Sequence, residues 1–196
     1  MSEAMMERRR AASATSPSLW TTLRAHVVQR IAGAPATEVR GKPCLLDAQL
    51  RVRNVKASVD FYGKHFGMSL VAQYKDAAQG ALLASCATFA DKTALPADAS
   101  SSEALAFARS LSGSMVTFAQ MDDAPADITY CNGNVDPGRG FGHIGFLVDN
   151  LEEKCVELEA MGVAFKKRPH EGRMRGLAFA VDLDGYWIEI IQRGKE

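Results

Sequence analysis

Two residues in the last third of the chain could bind a metal ion or move a proton. His143 lies in a glycine-rich stretch, and Glu189 lies in an apolar run between two isoleucines. A neutral imidazole and a carboxylate can each coordinate a divalent cation, and either can act as a general base. A glutamate on the core side of a strand is costly without a partner. Strand alternation could instead place Glu189 outside, beside Trp187 and Ile191.

An internal repeat relates these residues to the first half of the chain. Shifted by 96 positions, Asn54 falls on Asn150, and each asparagine stands between a strand end and an apolar helix start. Asparagine is a favoured residue at a helix N-terminus. The helices predicted after them, Val55–Phe66 and Leu151–Met161, both run toward a glycine and then an apolar strand. The repeat therefore predicts two copies of one β-α-β-β-β unit.

This repeat divides the chain into three parts and gives an α+β fold of paired βαβββ modules. The first module occupies residues 43–125 and the second residues 126–196. The first carries an Ala/Ser-rich insertion, Asp91–Leu111, with a short predicted helix; a loop of that length is usually a binding loop or a solvated excursion.

The remaining part, residues 1–42, is a basic arm with seven Lys or Arg against three Glu. Its stretch Ser18–Ala32 has apolar residues every fourth position, which predicts an amphipathic helix. Such a segment is typical of mitochondrial targeting, although Glu3 and Glu7 are unusual there. A helical arm that docks on a partner is the alternative, with a cytoplasmic location.

Composition excludes several classes of protein. Lys and Arg together number 23, as do Asp and Glu, so no overall basic surface favours nucleic acid. The apolar runs are too short for a membrane-spanning helix. The cysteines lie far apart without CxxC spacing, which argues against a thiolate zinc site or a disulfide scaffold: Cys44, Cys86, Cys131 and Cys155.

The repeat also pairs the residues that could do chemistry. The same shift places Asp47 opposite His143, and alignment of the last strands places Thr117 opposite Glu189. Two such modules could bring four side chains around one point, as a divalent metal requires.

Several motifs together resemble glyoxalase I, the lactoylglutathione lyase of the vicinal-oxygen-chelate superfamily. The resemblance runs from about Leu45 to Gln192 and is densest after Tyr130. It rests on the stretches 51–52, 58–62, 67–70, 132–134, 136–137, 139–145, 174–179 and 184–190.

The resemblance implies a dimer with active sites between chains, each holding one metal ion, zinc in the eukaryotic-type enzymes. The substrate would be the adduct of methylglyoxal and glutathione, isomerised by a glutamate to S-lactoylglutathione. Glu189 matches this catalytic residue. The positions that match glutathione-binding residues are Arg51, Arg139, Lys167 and Met174. Lys167 belongs to a basic run and could simply be a solvated surface residue.

Half of the metal site departs from the family pattern. The resemblance implies Gln (or His) and Glu from the first module, and His and Glu from the second. His143 and Glu189 match, but Asp47 replaces the Gln and Thr117 replaces the Glu. Threonine is a poor zinc ligand and is not a base near neutral pH.

These departures predict a catalytically weak or silent accessory or structural subunit, in a homodimer or a larger, mitochondrial assembly. The alternative is an active lactoylglutathione lyase, including one that works as a heterodimer with an intact glyoxalase paralogue. Action on another thiol adduct stays open beside it.

Overall fold

The fold is built from two modules with the same order of elements. A computed structural model describes residues 45–89, 92–111, 115–135, 138–173 and 175–193. The predicted arm, residues 1–42, and Met174 lie outside the described residues. Within the described residues, no helix is long and apolar enough to span a membrane.

In the first module, one helix and an inserted second helix accompany four strands. A short 3-10 turn, Lys92–Ala94, precedes the inserted helix. The elements are β1 (Asp47–Arg51), α1 (Val55–Phe66), β2 (Met68–Asp76), β3 (Ala81–Thr88), α2 (Ser102–Ser110) and β4 (Met115–Met121).

The second module repeats the pattern without an insertion. Its elements are β5 (Ile144–Val148), α3 (Leu151–Ala160), β6 (Ala164–Lys167), β7 (Leu177–Val181) and β8 (Trp187–Gln192). The sheet orders are β1-β4-β3-β2 and β5-β8-β7-β6, and in each the first and last strands of the module pair in parallel. The predicted pair of βαβββ modules is confirmed.

The two main helices begin where the sequence predicts, and α1 also ends there, whereas α3 ends at Ala160, one residue before the predicted end. The side chain of Asn54 accepts a hydrogen bond from the Ala57 backbone N–H at 2.9 Å, and that of Asn150 accepts one from Glu153 at 3.2 Å. These bonds satisfy amide groups that have no partner inside a helix. After α1, Gly67 adopts a φ of 69°, a left-handed conformation that glycine takes without strain.

The predicted insertion helix is also present, as α2. Ser101 caps it, because its hydroxyl accepts from the Ala104 backbone N–H at 3.1 Å. Ala104, Phe107 and Ala108 are buried, and the helix packs against β2. The helical part of the insertion, Ser102–Ser110, is thus a packed element of the first module.

Both modules contribute to one hydrophobic core. Val116 and Phe118 of β4 belong to the same cluster of buried side chains as Ile188 and Ile190 of β8. Rings of the two modules also stack, with 4.6 Å between the centroids of Phe66 and Phe146. Burying a side chain of this size contributes about 1.5–3 kcal/mol, so the shared core binds the modules together.

Strand alternation then fixes what the opposite sheet faces carry. Thr117 lies between two core residues of β4, and Glu189 lies between two core residues of β8. Because successive strand residues point to opposite faces, both side chains point away from the shared core. We call these surfaces the outer faces of the two sheets.

A polar network also joins the modules. The hydroxyl of Tyr62 donates to Asp182 Oδ2 at 2.9 Å inside the protein, and the hydroxyl of Tyr186 donates to the Arg51 carbonyl at 2.9 Å. The Arg53 guanidinium binds Asp184 at 2.8 Å. Burial is the main cause that raises the pKa of Asp182, and it also raises the pKa of Tyr62, where the Asp182 charge adds to the effect.

Candidate functional site

The outer face of the second module holds a bonded imidazole and carboxylate. His143 comes directly before β5, and its Nε2 lies 3.1 Å from Oε2 of Glu189 on β8. The His143 side chain is 40% exposed and that of Glu189 is 16% exposed, so a ligand could reach both. Glu189 shares its face with Trp187 and Ile191, and the sequence-based alternative of an outward-facing glutamate is the one that the structure shows.

Aromatic side chains lie beside this pair. The ring centroids of His143 and Phe179 are 5.4 Å apart, and those of Phe179 and Trp187 are also 5.4 Å apart. The Trp187 indole nitrogen is buried and has no hydrogen-bond partner in the described part of the chain. The half-site therefore combines a carboxylate, an imidazole and an apolar aromatic floor.

The matching positions of the first module form a different structure. Thr117, only 2% exposed, donates its hydroxyl hydrogen to Asp47 Oδ2. Its oxygen also lies 3.0 Å from the Ser85 hydroxyl. Ser85 is a residue that the sequence analysis missed. The available signal was a hydroxyl residue in the middle of a strand whose other interior residues are apolar.

Strand register pairs the same positions in both modules. Gln49 and Ser85 flank Thr117 on the neighbouring strands, as Gly145 and Phe179 flank Glu189. This register gives the same correspondence of Thr117 with Glu189 as the sequence repeat.

Within one chain, the two half-sites lie on the outer faces of sheets that share a core. They point away from each other, and among the described residues no group of three or more His, Cys, Asp or Glu could hold a metal ion. The described part of one chain therefore does not bring the two half-sites together.

The residues present match the zinc ligands implied by the resemblance only in the second module, where His143 and Glu189 stand. Even between two copies of this chain, the first module would offer Asp47 and the hydroxyl of Thr117, which are already bonded to each other. Zinc sites in proteins are built from thiolate, imidazole and carboxylate ligands rather than a neutral hydroxyl. Of the four positions that the resemblance assigns to the metal, the two in the first module hold Asp47 and Thr117.

Cysteine offers no replacement ligands in the core. Cys86 and Cys155 are both buried and not in disulfides. Burial raises the pKa of Cys86 to about 12 and is the main cause that raises the pKa of Cys155 to about 11. Both thiols belong to the shared core cluster, away from the outer faces that carry the two half-sites.

The predicted glutathione-binding residues are spread over both modules. Arg51 is exposed at the end of β1, on the same face as Asp47, and Arg139 is exposed in the loop that leads to His143. The Lys167 ammonium donates to the carbonyls of Leu177 at 2.7 Å and Arg168 at 3.2 Å, so these contacts already satisfy part of its hydrogen-bonding capacity. Met174 lies outside the described residues.

Comparison with known proteins places this arrangement in a family. A model of the Glyoxalase/Bleomycin resistance protein/Dioxygenase superfamily matches residues 45–190. Lactoylglutathione lyase of Pseudomonas putida is 37% identical over 144 residues, which cover 73% of this chain and 81% of that protein. Glyoxalase I of Saccharomyces cerevisiae is 37% identical over 147 residues, which cover 75% of this chain and 44% of that protein.

Other relatives match over shorter stretches or in fold alone. Lactoylglutathione lyase of Schizosaccharomyces pombe is 53% identical over 66 residues, which cover 34% of this chain and 22% of that protein. The chain thus spans less than half the length of the two fungal relatives. Among solved structures, the trypanothione-dependent glyoxalase I of Leishmania major has a TM-score of 0.55 at 18% identity, covering 77% of this chain and 87% of that chain.

Proposed function

The chain belongs to the Glyoxalase/Bleomycin resistance protein/Dioxygenase superfamily, and from this premise we propose that it is a glyoxalase I-like subunit that is catalytically weak or silent when paired with itself. One observation carries the proposal. The position opposite Glu189 in the repeat is occupied by Thr117, which is buried and hydrogen-bonded to Asp47 and Ser85. The subunit then serves an accessory or structural role.

Charge stabilisation, more than proton transfer, explains why this change matters. Isomerising a thiol adduct between adjacent carbons requires a group that takes up and returns a proton, and such a group contributes about 10²–10⁴-fold in rate. Glu189 can do this as a carboxylate, with His143 holding one of its oxygens at 3.1 Å. Stabilising the negative charge that develops on oxygen needs further donors. Neither Asp47 nor Thr117 supplies such a hydrogen-bond donor, because Thr117 already donates its hydrogen to Asp47.

Substrate binding is less affected than chemistry. Arg51 and Arg139 are both exposed guanidinium groups, which suit the two carboxylates of a glutathione moiety. We therefore expect a thiol adduct of glutathione to bind more readily than it reacts.

Turnover by the purified chain tests the proposal. We expect isomerisation of the adduct of methylglyoxal and glutathione to be at least about 10²-fold slower than with the Pseudomonas putida relative assayed alongside. Glu189→Gln serves as the control that assigns any residual rate to this site. A kcat of about 1–10³ s⁻¹, lost in Glu189→Gln, would overturn the silent subunit.

The second candidate is lactoylglutathione lyase activity in a mixed pair. The exposed His143–Glu189 pair favours it, since the second half-site retains both residues that the resemblance assigns to it. An intact glyoxalase paralogue would contribute the first-module ligands, and each mixed pair would then contain one complete site. The opposite site of the same pair would contain Asp47 and Thr117.

Co-purification from the source cells tests the mixed pair. We expect a chain of the same superfamily to be recovered, and the activity of the mixed pair to fall at least about 10²-fold with Glu189→Gln in this chain. Lys56→Ala, an exposed change on α1, is the matched control and should leave activity unchanged. Recovery of self-pairs alone would exclude the mixed pair.

We also propose that the basic arm directs the protein to mitochondria or docks it on a larger assembly there. Its seven basic residues against three acidic ones support import. Imaging the full chain beside a variant with Arg8, Arg9 and Arg10 changed to Glu tests this. Uniform cytoplasmic signal from the unmodified chain would contradict it.

A further inference from the structure

The first half-site is a continuous hydrogen-bonded network across three neighbouring strands. Ser85 lies on β3, Thr117 on β4 and Asp47 on β1, and β4 lies between the other two. We propose that this hydrogen-bonded network takes the place of a bound cation. Ser85 is the positioning residue that keeps Thr117 bonded to Asp47. This inference rests on the proposed function and deepens it, because it names what closes the half-site.

The direction of the bonds follows from their chemistry. A threonine hydroxyl has a single hydrogen, and Thr117 donates it to the Asp47 carboxylate. The contact of 3.0 Å between Ser85 and Thr117 must therefore run from the Ser85 hydroxyl to the Thr117 oxygen. Donors aligned toward a charged acceptor strengthen one another, so the chain from Ser85 through Thr117 to Asp47 acts as a unit.

Burial makes the hydrogen bonds of this network costly to break. Thr117 is 2% exposed and Ser85 is 5% exposed, so little water can replace a lost partner. A cation bound to Asp47 at this point would share the carboxylate with the Thr117 hydrogen, which occupies one of its two oxygens. It would also face a hydroxyl that already accepts from Ser85.

The second module shows why Ser85 matters. The residue that flanks Glu189 on the neighbouring strand is Phe179, whose side chain has no hydrogen-bond donor. Glu189 is instead held by His143 and is 16% exposed. The strand beside Thr117 thus carries a hydroxyl donor, whereas the strand beside Glu189 carries an aromatic ring.

A double-mutant cycle tests whether the hydrogen-bonded network acts as a unit. Ser85→Ala and Thr117→Val should each raise the unfolding equilibrium constant about 5- to 30-fold in denaturant titrations of the full chain. Together they should raise it at least about threefold less than the product of the single effects, because the second change removes a bond already lost.

Ser58 supplies the matched control. It is a buried serine on α1 that donates to the Asn54 carbonyl at 3.2 Å, outside the chain of bonds. Ser58→Ala combined with Thr117→Val should give the product of the single effects. If Ser85→Ala with Thr117→Val also gives the full product, the proposal is overturned. If Thr117→Val does not fold, the pair Ser85→Ala and Asp47→Ala measures the coupling that passes through Thr117, and a full product there overturns the proposal.

Added metal tests the replacement of the cation. The unfolding midpoint of the unmodified chain should be the same in Zn²⁺ and in EDTA. A midpoint that rises with Zn²⁺, and no longer rises in Asp47→Ala, would show that Asp47 binds a cation and would overturn the proposal.

The two proposals can fail separately. A silent protein whose cycle is fully multiplicative would remove the bonded chain and leave the proposed function standing. An active self-pair whose cycle is coupled would do the opposite.

Discussion

The two modules share a backbone plan and differ on their outer faces. Each begins with a strand, an asparagine-capped helix and a turn at glycine, and each pairs its first and last strands in parallel. At the matching positions, however, the first module has Asp47 and Thr117 where the second has His143 and Glu189. The comparison teaches that this fold is specified by its caps and core face, and that the outer face is free to change.

The neighbours of these positions change with them. Ser85 matches Phe179 and Gln49 matches Gly145 in strand register. A hydroxyl that donates to Thr117 occurs in one module, and an apolar ring beside a partly exposed carboxylate occurs in the other. Each outer face is thus consistent within itself, one as a closed polar network and one as an open half-site.

Restoring the first module should have the largest effect. The double change Asp47→Gln and Thr117→Glu should raise turnover of the self-pair at least about 10²-fold, because a carboxylate then stands at both central positions. Steady-state kinetics on the glutathione adduct measures it. Adding Glu189→Gln should cancel the gain, and an unchanged rate in the double variant would place the defect outside these two residues.

Cutting the buried bond between modules should come next. Tyr62→Phe removes the hydroxyl that donates to Asp182 and leaves a buried carboxylate short of a partner, which should lower the free energy of unfolding by about 1–3 kcal/mol. Denaturant titration measures the change. Tyr186→Phe loses a bond to the Arg51 carbonyl at a less buried hydroxyl and should cost less; a larger cost there would contradict this ranking.

The same carboxylate predicts a pH dependence. Burial raises the pKa of Asp182 in the folded protein, whereas the unfolded value is about 3.9. The folded state then binds the proton more tightly, so this contribution is present below about pH 4 and is lost as pH rises through the folded pKa. Asp182→Asn lacks the charge, and its stability relative to the unmodified chain should increase between pH 4 and pH 7. A constant difference over that range would exclude a raised pKa.

The helix caps should have the smallest effect and the most equal one. Asn54→Ala and Asn150→Ala should each lower the free energy of unfolding by about 1 kcal/mol, since each removes one bond to an otherwise unsatisfied amide. Substitution by Gly should cost only a few tenths of a kcal/mol at either position. A difference of several-fold between the two alanine variants would show that the modules do not share this local structure.

Local chemistry explains how much could be predicted. The asparagine caps, the glycine stops and the α2 helix each depend on a few consecutive residues, and the structure confirms all three. The strands were harder to bound: the sequence predicts only an apolar strand after the glycine, whereas β2 extends to Asp76 because its pairing with β3 continues to Ala81. Ser85 was missed for the same reason, since its partner Thr117 is brought beside it only by strand pairing.

The sequence by itself determined the repeat, the two modules and the pairing of Asp47 with His143 and of Thr117 with Glu189. These follow from the spacing of caps, glycines and apolar residues, which act within a few positions along the chain. Only the tertiary structure decided which face of each sheet packs into the core and which hydroxyl group donates a hydrogen bond to Thr117. Both depend on a core shared by residues more than 100 positions apart, such as Tyr62 and Ile188. Contacts of that kind arise from packing the two sheets together, and no local pattern of residues encodes them.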